Sequence, residues 1–334
     1  MKTAILTQPL LANYGCLLQN YALQQALRRL GHDPVTLDYL PVTYAKWYLK
    51  SLWRKVFRGA PYVPLLPGRP PVFDRFVRER ITTLPQRGCY RHASLEKNGI
   101  DALVVGSDQV WRPRFNRKTL PDMFFAFAGD FQGPRIAYAA SFGTEEWDGD
   151  AAVTARCATL LRRFDAVSVR EPSGVELCRR VFGVDAVQMP DPLLLLEKEG
   201  YLSLCEAVPA APEPYVAAYV LDAAPESEER VAAKSAETGL KVRRATSGPE
   251  AALTVEEWIA FFRDASAVVT DSFHGAVLSR LLGKPCEVVE NADRGRGRYA
   301  VLDGLGDWAA LRKQGLDYLQ KALSGISGGG CAGR

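Results

Sequence analysis

The sequence predicts an α/β protein of two Rossmann-like domains facing a central cleft. Three observations lead there. Short apolar runs alternate with helical repeats along nearly the whole chain, a pattern that folds as parallel strands with helices on both faces. The chain has 334 residues, more than one hydrophobic core usually serves. A proline- and alanine-rich stretch at 206–214, EAVPAAPEP, divides the alternating series in two. The expected division is an N-terminal domain over 1–205, a C-terminal domain over 206–325 and a flexible glycine-rich tail over 326–334.

In the first series residues 3–6 read as a strand. Residues 17–30, LLQNYALQQALRRL, read as an amphipathic helix whose stripe is Leu18, Tyr21, Ala22, Ala26 and Leu30 and whose stop is Gly31. Further strands are expected at 35–39, 102–105, 136–140, 167–169 and 186–189, with helices at 155–164 and 173–182. The second series gives strands at 215–221, 267–270 and 286–289. Its helices fall at 227–237, 255–265, 276–282 and 308–323.

Composition narrows the function classes. A net charge of +4 is too small to argue for nucleic acid, though it suits an enzyme that handles anions. Seven cysteines are scattered without a C-x-x-C pair, which reads as free thiols in a reducing cytoplasm. The N-terminal MKTAILTQPL lacks the apolar core of a signal peptide. Nor is there an apolar run long enough to span a membrane. His32, His92 and His274 are far apart in sequence, and no spacing argues for a metal.

Ligands of doubly wound sheets bind at the carboxyl ends of the strands, so the loops that follow strands carry the candidates. Four stand out: Asn13-Tyr14-Gly15, the run Gly106–Trp111 containing Ser107, Asp108 and Gln109, Ser141-Phe142-Gly143, and Thr270-Asp271-Ser272-Phe273-His274-Gly275. Each has small or polar residues where an anion or a sugar would meet backbone N–H groups. Each also has a plain alternative, because Gly and Ser after a strand are ordinary turn chemistry. None is a Walker loop or a G-x-G-x-x-G.

A lone histidine is more often structural than catalytic. His274 has a better address, in the first turn of a helix that follows a buried strand, beside Asp271 and Ser272. The helix N-terminus disfavours imidazolium, whereas Asp271 or a bound anion favours it, a balance that suits a general acid or base. Arg170 follows another strand and reads either as a paired structural arginine or as a clamp on a carboxylate or phosphate. Arg294, Arg296 and Arg298 in DRGRGR read either as solvated surface or as a glycine-hinged anion loop.

Six segments together resemble the polysaccharide pyruvyl transferase family: NYGCLLQNYALQQAL, VVGSDQVW, AYAASFG, SVREPSG, PDPLLLL and VVTDSFHGAVLSRLLGKP. The resemblance implies a GT-B-like fold, that of two-domain glycosyltransferases. It implies phosphoenolpyruvate as donor and co-substrate, with no metal or other cofactor, and a sugar as acceptor. The carboxyethylidene group would bridge two sugar hydroxyls as a ketal, and phosphate would leave. It further implies that His274 and Arg170 meet phosphoenolpyruvate and are the catalytic pair. Donor contacts are then expected from Arg170, Ser272, Phe273, His274, Gly275, Arg296 and Arg298. Acceptor contacts are expected, on the N-terminal side for the most part, from Asn13, Tyr14, Gly15, Ser107, Asp108, Gln109, Ser141 and Asp271.

Residues 44–58, YAKWYLKSLWRKVFR, place Tyr44, Tyr48, Leu52 and Val56 on one helical face and Lys46, Lys50, Arg54 and Arg58 largely opposite. That pattern fits either a helix packed on the core or a peripheral contact with an anionic membrane. The second option fits a cytoplasmic enzyme whose acceptor sugar is carried on a lipid at the inner membrane face. Two other functions are compatible with the same cleft: a nucleotide-sugar glycosyltransferase or epimerase, and a non-catalytic sugar-binding protein.

Overall fold

The computed structural model describes residues 1–40, 69–87, 89–222, 224–289, 302 and 306–324. The helix expected at 44–58, the arginines 294, 296 and 298 and the tail 326–334 lie outside the described residues. Two parallel sheets form the frame. The first contains β1 (Lys2–Leu6), β2 (Asp33–Leu40), β3 (Thr83–Arg87), β4 (Ala102–Val105), β5 (Arg135–Ala140), β6 (Ala166–Val169) and β7 (Val187–Gln188), in the order β3-β2-β1-β4-β5-β6-β7. The second contains β8 (Val216–Tyr219), β9 (Val242–Arg244), β10 (Ala267–Thr270) and β11 (Cys286–Val288), in the order β11-β10-β8-β9. The main helices are α1 (Tyr14–Arg29), α2 (Pro71–Arg80), α3 (Ala151–Leu161), α4 (Pro225–Thr238), α5 (Val255–Arg263), α6 (Phe273–Leu281) and α7 (Trp308–Ser324). Among the described residues no helix is long and apolar enough to cross a membrane.

The central strands are apolar throughout because both faces are covered. Ile5, Val104, Ile136 and Tyr138 face one layer with Leu23, Ala26 and Leu27 of α1. Ala4, Leu6, Leu103, Val105 and Ala137 face the other layer with Cys157 and Leu161 of α3. This is the two-residue alternation of a strand. The expected central strands are all present. The two strands that were not expected, β3 and β9, are edges. An edge strand buries less and tolerates polar residues and proline, so TLPQR and VRR carry no apolar signature. Helix α1 begins at Tyr14, before the expected residue 17, because the Asn13 side chain accepts from Cys16 N–H and caps it.

The last helix departs from the expected division. Although it follows the second sheet in sequence, α7 packs Leu319 and Leu323 on the first sheet, and the Tyr318 hydroxyl donates to Ala137 O at 2.9 Å. Gly315 permits this approach: a Cβ there would fall 2.3 Å from the Tyr138 hydroxyl. The stretch 206–214 is also tied down, by Arg263 donating to Val208 O and Pro209 O and by Ala211 N–H donating to Asp264.

One apolar cluster holds both halves together. It contains Tyr14, Leu17, Leu18, Phe73 and Phe76 from the first half and Tyr219, Trp258, Ile259, Phe262 and Phe273 from the second. Tyr14 is its centre. The ring stacks on Trp258 at 4.9 Å and tilts against Phe73 at 4.7 Å. Its hydroxyl donates to Leu253 O at 2.7 Å. Backbone and side-chain bonds from Gly248 N and Ser247 Oγ to Ala12 O close the same junction. Truncating Trp258 to Ala removes a buried aromatic from this shared core. It should cost about 3–5 kcal/mol, and thermal unfolding should lower both halves together in one transition. A calorimetric trace in which only one of two separate transitions moves would contradict the shared core.

Candidate active site

Each sheet has one place where the strand order reverses, and ligands bind outside the carboxyl ends there. In the first sheet it lies between β1 and β4, and in the second between β8 and β10. The two places face each other across one cavity of about 370 Å³, a size suited to a small ligand. Gln8, Pro9, Leu11 and Asn13 line it after β1, and Asp108, Gln109 and Phe115 after β4. Arg170 comes from the end of β6, Leu221 from β8, and Ser272, Phe273 and His274 from β10.

Two helix N-termini also meet there. Asn13 caps α1, and Ser272 caps α6 by accepting from Gly275 N–H at 3.2 Å. The first-turn N–H groups of a helix have no acceptor within it, and its dipole favours negative charge at that end. The two ends approach closely because of Gly15. A Cβ on Gly15 would lie 2.2 Å from His274 Nδ1, so only glycine lets α1 sit against the imidazole.

His274 is 8% exposed. Its Nε2 lies 3.4 Å from Asp191 Oδ2 but outside hydrogen-bonding geometry. The same carboxylate oxygen accepts from Ser107 Oγ at 3.0 Å and from Arg170 Nη1 at 3.1 Å, while Oδ1 caps the Leu193 N–H at 3.0 Å. Burial alone would raise the Asp191 carboxyl. The charge and contact of His274, the Arg170 guanidinium and the Leu193 N–H outweigh burial and hold it well below the ordinary carboxylate range.

Arg170 is 1% exposed. It donates to Glu171 and to Ser141 Oγ as well as to Asp191, and its guanidinium lies over the Phe273 ring at 4.3 Å. Burial opposes its charge, and Glu171 and Asp191 more than restore it. Three of its five guanidinium N–H groups are hydrogen-bonded and Nη2 also lies 2.9 Å from Glu171 Oε1, so little of the guanidinium is left for a ligand. Ser141 is aimed inward by a bulge in β5, where the register shifts and Ala139 has φ of 48°.

Most of the expected residues converge. Asn13, Asp108, Gln109, Arg170, Ser272, Phe273 and His274 line the cavity, and Gly15 abuts His274. Others have different places. Tyr14 is in the domain junction. Ser107 and Ser141 hold Asp191, Glu171 and Arg170 from behind. Gly275 sits inside α6, with room for a Cβ limited to 3.0 Å by Thr270 Oγ1. The carboxylate of Asp271, expected to favour the imidazolium and to contact the acceptor, accepts from the Leu221 and Asp222 N–H groups. The carboxylate whose Oδ2 lies 3.4 Å from His274 Nε2 is that of Asp191, a residue with no expected role. Its signal was available: an acid just past the end of β7. Cys16 also lines the cavity, but burial, with Asp108 adding to it, pushes its thiol well above the ordinary value, so it is no nucleophile at neutral pH.

The fold and site define a two-domain α/β protein of GT-B-like architecture, with a polar cleft where two helix N-termini meet a buried Arg–Asp–His cluster. The family follows from the sequence match: residues 13–293 fit the model of the polysaccharide pyruvyl transferases, and the chain belongs to that family. Among curated proteins there is no match. Several solved structures share the fold. UDP-GlcNAc 2-epimerase of Methanocaldococcus jannaschii, in complex with UDP-GlcNAc and UDP, has a TM-score of 0.50 and 11% identity over 99% of this chain and 94% of that one. The S. aureus MnaA–UDP co-structure has a TM-score of 0.50 and 11% identity over 96% and 90%. A putative UDP-N-acetylglucosamine 2-epimerase of Listeria monocytogenes has a TM-score of 0.50 and 10% identity over 96% and 90%. At these identities the likeness is one of fold.

The Asp191 carboxylate has a testable pH signature. A carboxyl depressed by folding stabilises the fold fully above its unfolded value near 4 and loses that contribution as pH falls through the folded value. Asp191→Asn should therefore cost about 3 kcal/mol at pH 7, and the deficit should shrink below about pH 4. Urea denaturation of both proteins at pH 7 and pH 3 checks this. An equal deficit at both would contradict the assignment.

Proposed function

We propose that the protein transfers the carboxyethylidene group of phosphoenolpyruvate onto two hydroxyls of a sugar in a cell-surface polysaccharide precursor. The observation that carries this reading is the meeting of His274 with Arg170 and two helix N-termini in a single cavity. Phosphoenolpyruvate has a carboxylate and a phosphate. Both are matched by unfilled first-turn N–H groups and by the remaining N–H groups of Arg170.

In this mechanism protonated His274 delivers a proton to the methylene carbon as the first sugar hydroxyl adds to the neighbouring carbon. The hydroxyl proton passes to Asp108. The new C–O and C–H bonds give a phosphorylated ketal precursor with a methyl group. A second hydroxyl then displaces phosphate, its proton returns to His274, and the C–O bond to phosphate breaks. The proton held by Asp108 leaves with the phosphate. Asp191 stays ionised behind His274 and Arg170 throughout. It orients both and matches their charge, and it is not a proton donor.

Arg296 and Arg298 belong to this proposal as further donor contacts. A lipid-linked acceptor would place the enzyme at the inner membrane face, and the basic and aromatic stretch 44–58 is the segment that fits such a surface.

The reaction is tested by incubating the protein with phosphoenolpyruvate and candidate lipid-linked or nitrophenyl sugars. Phosphate release should equal the gain of a ketal on the acceptor by mass. Indifference to phosphoenolpyruvate together with turnover of a nucleotide sugar would overturn the reading. In the same assay His274→Ala should lower kcat by about two to four orders of magnitude. Near-normal turnover would remove the proposed acid.

A further inference from the structure

One wall of the cavity carries an exposed aromatic ring. Phe115 sits at the rim on the short helix Pro113–Asn116 and is 51% exposed, one of three large apolar side chains left in solvent among the described residues. Its ring is not loose. Arg112, only 4% exposed, lies over one face at 4.7 Å and donates to Gln109 Oε1 at 2.7 Å. Behind it Asn116 Nδ2 donates to Val110 O, and Gln8 Nε2 donates to Gln109 O. A buried cation covers one face of the ring, so the exposed area belongs to the other face and the edge.

Asp108 stands in the same loop at φ of 76°, a left-handed conformation that costs energy outside glycine and gathers at functional sites. Its Oδ1 accepts from the Gln109 N–H. No hydrogen bond among the described residues engages Oδ2. A fixed aromatic face and an ionisable oxygen thus share one wall. A pyranose ring presents that chemistry in reverse, with a face of C–H bonds and a rim of hydroxyls.

We propose that Phe115 is the platform on which the acceptor sugar ring lies, and that it selects pyranosides whose C–H face is free while Asp108 takes a hydroxyl of the same ring. This rests on the proposed transfer to a sugar, but saccharide binding tests it without the reaction. Saturation-transfer NMR with a panel of nitrophenyl pyranosides, without donor, should show the strongest transfer to the protons of one ring face. Phe115→Ala should weaken the best saccharide about tenfold, the loss expected for about 55 Å² of apolar contact. Phe115→Trp should retain or tighten it. Donor binding, followed separately by calorimetry with phosphoenolpyruvate, should be unchanged in both variants.

Equal saccharide affinity in wild type and Phe115→Ala overturns the platform. So does a lack of saccharide binding to the wild type at millimolar concentration, or a parallel loss of donor binding. If saccharides bind as described but no ketal forms, the platform stands and the transferase reading fails. If ketals form while Phe115→Ala keeps its acceptor affinity, the reverse holds.

Discussion

The carboxylate of Asp191 is the constraint on which the site depends. It follows the last strand of the first sheet, capping the turn Pro192–Leu195, and reaches His274 after β10 of the second sheet. One oxygen serves Ser107, Arg170 and His274 together. Removing such a charge from water is costly unless its partners are fixed and complete. The partners here are fixed by strand ends, a bulge and a shared aromatic core.

The fold supplies that fixity. The shared core around Tyr14 and Trp258 sets the distance between the sheets. Helix α7 returns from the second half to cover the first, so the two halves are joined at the junction and again along the back. A general acid must hold its geometry within tenths of an ångström of the reacting atom. A cleft whose halves share one core, with Gly15 flush against the imidazole, holds His274 in place.

Much of this was legible in the sequence, for a physical reason. Central strands of a parallel sheet are apolar on both faces, and residues just after them face the cleft. Hence the core strands and the position of Arg170 and His274 beside the cavity were legible. What escaped depended on contacts between distant segments. Edge strands β3 and β9 lack burial and therefore lack pattern. Tyr14, Ser107 and Ser141 follow strands as ligand contacts do, yet they fix the groups that line the cavity. Asp271 is three residues from His274 in sequence, but it precedes the Ser272 cap and lies outside the helix, and its carboxylate went to the backbone after β8. The carboxylate beside His274, Asp191, came from the end of the other sheet. Phe115 was invisible because an exposed phenylalanine gains meaning only from the cavity beside it.

The most direct test of Asp191 and His274 as a unit is a double-mutant cycle on kcat/KM for phosphoenolpyruvate, with Asp191→Asn, His274→Gln and the double variant. If the carboxylate acts through the imidazole, the losses are not additive, and the double variant is about as impaired as the worse single one. Losses that multiply independently would show that Asp191 only supports the fold, and would contradict the account.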